Sequence, residues 1–164
     1  VIVEQQFHDT ELWVPYYRML EAGFDVTLVG PEAGEEYLSK HGDPIKAEMS
    51  ANEAKDKEWD AIIVPGGWAP DFMRRNNDLL EMIRKTNERK GIIAGICHAQ
   101  SVFILADILR GVEATSFFAI KDDVVNAGAK WIDKEVVVSG NIITSRSPKD
   151  LPAYCKTIVE ALQE

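Results

Sequence analysis

The stretch Gly91-Ile-Ile-Ala-Gly-Ile-Cys97-His98-Ala-Gln-Ser101 decides the fold. An apolar run of strand length, residues 92–96, stops at a cysteine, and a helix-like apolar pattern begins directly after it. A strand that turns into a helix with no loop between forces a strained backbone on the turn residue and exposes its side chain. That is the mechanics of a nucleophile elbow. The turn also sets a thiol at a helix N-terminus, where free N–H groups and the helix dipole favour the thiolate. These residues predict a reactive Cys97 with a pKa below the ~8.5 of free cysteine.

Outward from the elbow, strand and helix patterns alternate. Strands are expected at residues 1–3, 24–29, 60–64 and 92–96, with short ones at 44–49 and 114–116. Helices are expected at 9–22, 77–90, 98–110, 120–127 and 148–162. Asp9 or Thr10 is the expected cap of the first helix, Gly23 its stop, and Pro15 a start or kink within it. Residues 135–138 and 141–144 form a hairpin around Ser139-Gly140. Residues 30–57 are polar and punctuated by Gly and Pro, so they carry little pattern. The alternation predicts one α/β domain, residues 1–164, with a mostly parallel sheet covered by helices on both faces.

The composition is ordinary for a globular chain, with 46% hydrophobic and 27% charged residues. A net charge of −9 argues against nucleic acid or an anionic membrane surface as partner. No apolar run approaches the ~20 residues that span a bilayer, and no secretory leader stands out. Two cysteines, Cys97 and Cys155, offer no disulfide framework and suit a reducing compartment, so the cytoplasm is the expected location. His8, His41 and His98 are scattered and there is no CxxC, so neither metal nor cofactor is expected.

The second stretch with chemical content is Pro65-Gly66-Gly67-Trp68-Ala69-Pro70, at the carboxyl end of a strand, where open α/β sheets place their sites. Paired glycines let backbone N–H groups approach an anion, as an oxyanion hole requires. Glu11 and Asp71 are the acidic candidates, each able to orient a histidine or bond the sulfur; the residues alone do not choose between them. Trp68 follows the glycines and is placed to line a pocket. Trp13, Trp59 and Trp131 read as packing or interface residues, Cys155 as an inert half-buried thiol, and His41 as solvated.

The segments Phe7-His-Asp-Thr-Glu11-Leu, Asp60-Ala-Ile-Ile-Val-Pro-Gly-Gly67, Ala94-Gly-Ile-Cys97-His98, Thr115-Ser116, residues 120–131 and residues 135–152 resemble the ThiJ/PfpI superfamily, most nearly its intracellular protease I (peptidase C56) branch. The resemblance implies a flavodoxin-like sandwich of the class I glutamine amidotransferase type. It matches the nucleophile to Cys97 and the following histidine to His98. The acidic residue that bonds the cysteine and tunes its pKa matches Glu11. Asp71 matches a carboxylate that orients the histidine of a neighbouring subunit, so a homo-oligomer, dimer or hexamer, with a composite site is implied. Backbone donors match Gly67 and His98.

This chain departs from the family pattern at His8, usually acidic, at Ala99-Gln100 where Gly-Pro is common, at Asp107, usually small, and at Phe117-Phe118 where Tyr-Pro is common. These changes predict a more apolar and tighter pocket. Two functions fit. One is a cysteine-dependent hydrolase-like enzyme acting on small carbonyl compounds, glycated adducts or peptides, as a protease, deglycase or glyoxalase. The other is a redox-sensing, stress-protective protein whose cysteine oxidises to a sulfinate.

Overall fold

The computed structural model describes residues 1–164. The strands in chain order are Val29–Gly30 (β1), Glu36–Leu38 (β2), Pro44–Lys46 (β3), Met49–Ser50 (β4), Ala61–Val64 (β5), Ile92–Ile96 (β6), Glu113–Ala114 (β7), Lys130–Trp131 (β8), Val136–Ser139 (β9) and Ile142–Ser145 (β10). The helices are Asp9–Glu21 (α1), Ala51–Ala54 (α2), Ala69–Met73 (α3), Asn77–Glu88 (α4), Gln100–Leu105 (α5), Lys121–Asn126 (α6) and Leu151–Gln163 (α7). Strands β5, β6 and β10 run parallel, and β9 closes the edge antiparallel through the hairpin. On the other side, residues 1–3 bridge this sheet to the parallel β1–β4 ladder. Ile2 N–H donates to Ile63 O (3.0 Å) and Val3 N–H to Val29 O (2.8 Å). The result is a mainly parallel sheet between helical layers.

The side-chain period of two divides the core. Ile62, Val64 and Ile93 point into the larger cluster, with Leu79 and Ile83 of α4 and Phe103 of α5. Ile63, Ala94 and Ile96 point the other way, onto Tyr154 and Ile158 of α7 and Met19 of α1. Burial on both faces accounts for the near-continuous apolar runs of β5 and β6.

Several expected elements change, each for a local reason. Residues 1–3 keep only a single bridge, at Ile2. Residues 24–28 form no ladder: the Val1 amino group takes Thr27 O (2.9 Å), and Leu28 N–H is taken by the Glu48 carboxylate (2.8 Å). Residues 44–49 split, because β3 pairs with β2 and β4 with β1. The expected helix at 98–110 shrinks to α5. His98 and Ala99 form a turn, and the left-handed backbone of Asp107 (φ 57°) ends the helix. Arg84 caps its end, donating to Ala106 O (3.1 Å) and Leu105 O (3.2 Å). The final helix opens with a 3₁₀ turn at Pro148–Asp150, and α6 is likewise preceded by Phe118–Ile120. Helix α1 is preceded by His8 rather than capped by Asp9 or Thr10, and Pro15 sits inside it. No helix is long and apolar enough to cross a membrane.

Candidate active site

Cys97 lies at the carboxyl end of β6 with φ 64°, a left-handed conformation that ordinary L-residues avoid. Its backbone is pinned on both sides: its N–H donates to Ser145 O (3.1 Å), and its O accepts from Phe117 N–H (3.0 Å). Beneath it, a Cβ at Gly95 would fall 2.4 Å from the Phe103 ring, so only glycine lets α5 pack this close to the strand. The elbow expected from the sequence is present, although α5 starts three residues after the cysteine.

Gln100 completes the turn. It is fully buried, and its Nε2 donates towards Gly95 O (3.2 Å), Thr115 O (2.8 Å) and Ser145 O (3.2 Å). One amide thus ties β6, the loop after β7 and the end of β10 together at the nucleophile. The sequence marked position 100 only as a departure from the family pattern. A polar residue inside an apolar helical pattern was the signal for its buried role.

The Gly66–Gly67 turn follows β5 and faces Cys97. Gly67 has φ 76° and bridges Phe7, while Trp68 N–H donates to Gln6 O (3.0 Å) and His8 N–H to Gly66 O (3.2 Å). The backbone N–H groups of His98 and Gly67 favour the charged form of the Cys97 sulfur. His98 Nδ1 lies 3.2 Å from Sγ.

Glu11 reaches the same point from the first turn of α1. It is fully buried, and its Oε2 accepts from Gly66 N–H (2.8 Å). Its Oε1 has no hydrogen-bond partner, and Cys97 is among the groups that act on the carboxyl. Burial pushes the Glu11 carboxyl up to about 7, opposed by the Gly66 N–H and by Cys97.

The thiol itself moves opposite to the sequence expectation. Cys97 is 8% exposed; burial first, and the Glu11 charge second, push it up to about 12 against the two N–H donors. The helix-terminus argument fails because α5 is short and starts late, whereas a carboxyl lies against the sulfur. The opposition from Glu11 holds only while that carboxyl is charged. With its proton retained it is an O–H donor, which supports a thiolate. Burial, followed by the charge of Lys40, lowers the His98 pKa, which favours the neutral imidazole beside the thiol.

A cavity of about 500 Å³ opens beside the elbow, lined by Gln6, Gly67, Trp68, Asp71, Arg74 and His98 among others. A larger one, about 1020 Å³, lies at the amino ends of β5 and β6. Strand carboxyl ends and the cysteine favour the smaller cavity as the site. The structure therefore brings together Cys97, His98, Glu11 and Gly67. Asp71 lines the same cavity but is ion-paired with Arg75 and does not bond His98 of its own chain.

Gln6 and Arg74 were missed. Gln6 holds φ 65° and lends its carbonyl to the glycine turn, and no residue-type signal marks a glutamine for that conformation. His41 is more than a solvated side chain: its Nδ1 lies 2.6 Å from an Asp9 carboxylate oxygen. Phe117 and Phe118 do not line this cavity, and Phe118 is exposed.

Comparison with known proteins gives a consistent result. The model described as the DJ-1/PfpI family matches residues 1–161. The protein of Pyrococcus furiosus named deglycase PfpI is 40% identical over 158 residues, 96% of this chain and 95% of that one. A solved two-domain protein of Anabaena variabilis, containing DJ-1/ThiJ/PfpI-like and ferritin-like domains, superposes with a TM-score of 0.96 at 40% identity. This chain is covered to 99% there but spans only 47% of that longer chain. DJ-1beta of Drosophila melanogaster superposes with a TM-score of 0.91 at 26% identity, covering 99% of this chain and 91% of that one.

Proposed function

The chain belongs to the DJ-1/PfpI family, and on that premise we propose that it is a cysteine-dependent enzyme acting on small α-dicarbonyl compounds and the glycation adducts they form. The observation that carries this reading is the His98 imidazole 3.2 Å from the sulfur of the strained Cys97, beside the Gly66–Gly67 turn that the fully buried Glu11 holds by its Gly66 N–H.

In the reaction, His98 takes the thiol proton and Sγ bonds to the aldehyde carbon. The carbonyl π pair moves to oxygen, which the N–H groups of Gly67 and His98 stabilise before a proton reaches it. The hemithioacetal then passes a proton from its carbon to the neighbouring ketone carbon by way of an enediol, which leaves a thioester. Water hydrolyses the thioester, releasing a hydroxy acid and restoring the thiol. Atoms balance as dicarbonyl plus water giving hydroxy acid, without an external oxidant or reductant.

Wild type should turn over methylglyoxal, and Cys97→Ser should lose at least ~100-fold in kcat/KM. A short peptide anilide and peroxide are the comparison reagents. If peroxide oxidises Cys97 stoichiometrically while no substrate is turned over, the redox-sensor reading replaces this one.

The reading extends to assembly. Asp71 shares the cavity with His98 but is exposed and engaged by Arg75. In a homo-oligomer the Asp71 of a second copy orients His98 and supports its protonated form. Mixed Cys97→Ala and Asp71→Ala chains should then regain activity through hybrid interfaces. A mixture as inactive as either parent, with subunit exchange verified by mass, would rule the composite site out.

A further inference from the structure

The backbone that holds Cys97 in its left-handed turn leads back to one side chain. The Cys97 N–H donates to Ser145 O (3.1 Å), and the Cys97 O accepts from Phe117 N–H (3.0 Å). Gln100 Nε2 lies within hydrogen-bond distance of Ser145 O (3.2 Å) itself. It also reaches Thr115 O (2.8 Å), two residues before Phe117, and Gly95 O (3.2 Å), two residues before Cys97. Thr115 is held from its other end too, since its N–H donates to the buried Thr144 Oγ1 (2.9 Å).

Stability alone does not explain this amide. Gln100 is fully buried, and its Oε1 has no hydrogen-bond partner. An unpaired buried acceptor destabilises a fold, and an apolar side chain of equal length would remove it. Asn141 gives the contrast. At the opposite ends of β6 and β10 its Nδ2 donates to Gly91 O (2.8 Å) and Asn87 Oδ1 (3.0 Å), from a partly buried position and with no buried oxygen left unpaired. An amide that clasps these strands is thus available without the penalty that Gln100 carries.

We infer that Gln100 is the positioning residue of the nucleophile: its amide fixes the acceptor of the Cys97 N–H, the end of β6 and the loop after β7, and so holds Sγ at its place beside His98. The inference rests on Cys97 as the nucleophile of the proposed reaction. Attack on a carbonyl needs the sulfur within a narrow range, and a displacement of about 1 Å can cost ~100-fold in rate. Without the amide the turn keeps its two backbone hydrogen bonds, but their partners are free to shift with the end of β10 and the loop after β7.

The test compares Gln100→Met, which keeps the length and removes both donors, with Asn141→Ala at the far end of the same strands. Amide hydrogen exchange reads the backbone, and steady-state kinetics with methylglyoxal read the reaction. In Gln100→Met the Cys97 and Phe117 amides should exchange at least ~10-fold faster than in wild type, relative to Ile93 near the start of β6. Its kcat should fall by roughly 10-fold to 100-fold, with KM within about threefold. Asn141→Ala should loosen Ile93 and leave both Cys97 exchange and kcat within about twofold.

Unchanged exchange at Cys97 and Phe117, or a rise spread evenly over the sheet, overturns the proposal. So does faster local exchange with kcat unchanged, or an equal fall of kcat in Asn141→Ala. Should Gln100→Met not fold, Gln100→Glu keeps the shape, lacks the nitrogen and is read by the same two measurements. In wild type the side-chain amide protons of Gln100 must themselves resist exchange, and rapid exchange there overturns the proposal without any variant. A wild type that does not turn over methylglyoxal would remove the proposed reaction, while the exchange at Cys97 still decides whether Gln100 holds the elbow.

Discussion

Gly67→Ala should lower the melting temperature by on the order of 10 °C and disable Cys97 together. At φ 76° an alanine meets the left-handed penalty of roughly 1–2 kcal/mol. Its Cβ would also stand 2.6 Å from Gln6 O and from His8 N, and 3.0 Å from Phe7 C. These are backbone atoms with little room to yield. Gln6 N–H is bonded to Leu38 O (2.8 Å), and Phe7 O accepts from Lys40 N–H (2.8 Å). Overpacking adds roughly 1–3 kcal/mol, a large share of the ~5–15 kcal/mol that holds a domain folded. Gly34→Ala is the control, because its φ is 77° but nothing lies within 4 Å of its Cβ. Urea unfolding of the two variants isolates the contact from the conformation. Equal losses would mean that the turn relaxes freely and that the N–H at position 67 is not held in place.

The second large effect concerns Glu11→Gln and pH. Burial raises the Glu11 carboxyl from 4.5 to about 7 in the folded protein. Between those values the native state holds a proton that the unfolded chain has released. The sign follows from linkage: this contribution to stability is fully present below pH 4.5 and is lost as pH rises through 7. At about 1.4 kcal/mol per pH unit, the whole effect is roughly 3 kcal/mol. The stability of wild type minus that of Glu11→Gln should therefore fall by about this amount between pH 4.5 and 8; titrations common to both cancel. Cys97 alkylation adds a second readout. In wild type the rate–pH curve departs from a single ionisation near pH 7, where Glu11 begins to oppose the thiolate, and the glutamine variant should follow one ionisation. A stability difference that stays flat with pH would place the Glu11 charge away from the sulfur.

What could be read from the sequence follows the range of the interactions involved. The elbow was legible because an apolar run ending at a non-glycine residue, followed by a helical period, leaves few backbone solutions for Cys97. The glycine turn was legible because Gly66 and Gly67 sit where a buried strand must end. Glu11 needed the family resemblance, since nothing local says that a carboxylate in the first turn of α1 will be driven under β5. The pairing of His41 with Asp9, the carbonyl of Gln6 and the three-way amide of Gln100 are all contacts between segments remote in the chain. No period or spacing encodes them. The direction of the thiol shift was misread for the same reason: the helix terminus is local and visible, whereas the burial and the carboxyl that outweigh it come from folding.

The left-handed backbone at Cys97 also sets the direction in which this protein would drift if relieved of its chemistry. Glycine occupies that conformation at no steric cost, while cysteine there forfeits roughly 1–2 kcal/mol. A lineage selected for endurance alone would exchange the thiol for hydrogen and keep every strand and helix. In evolutionary terms the cysteine stands against the gradient of stability, in a chain that places glycine at seven of its ten other left-handed positions and could have placed an eighth here.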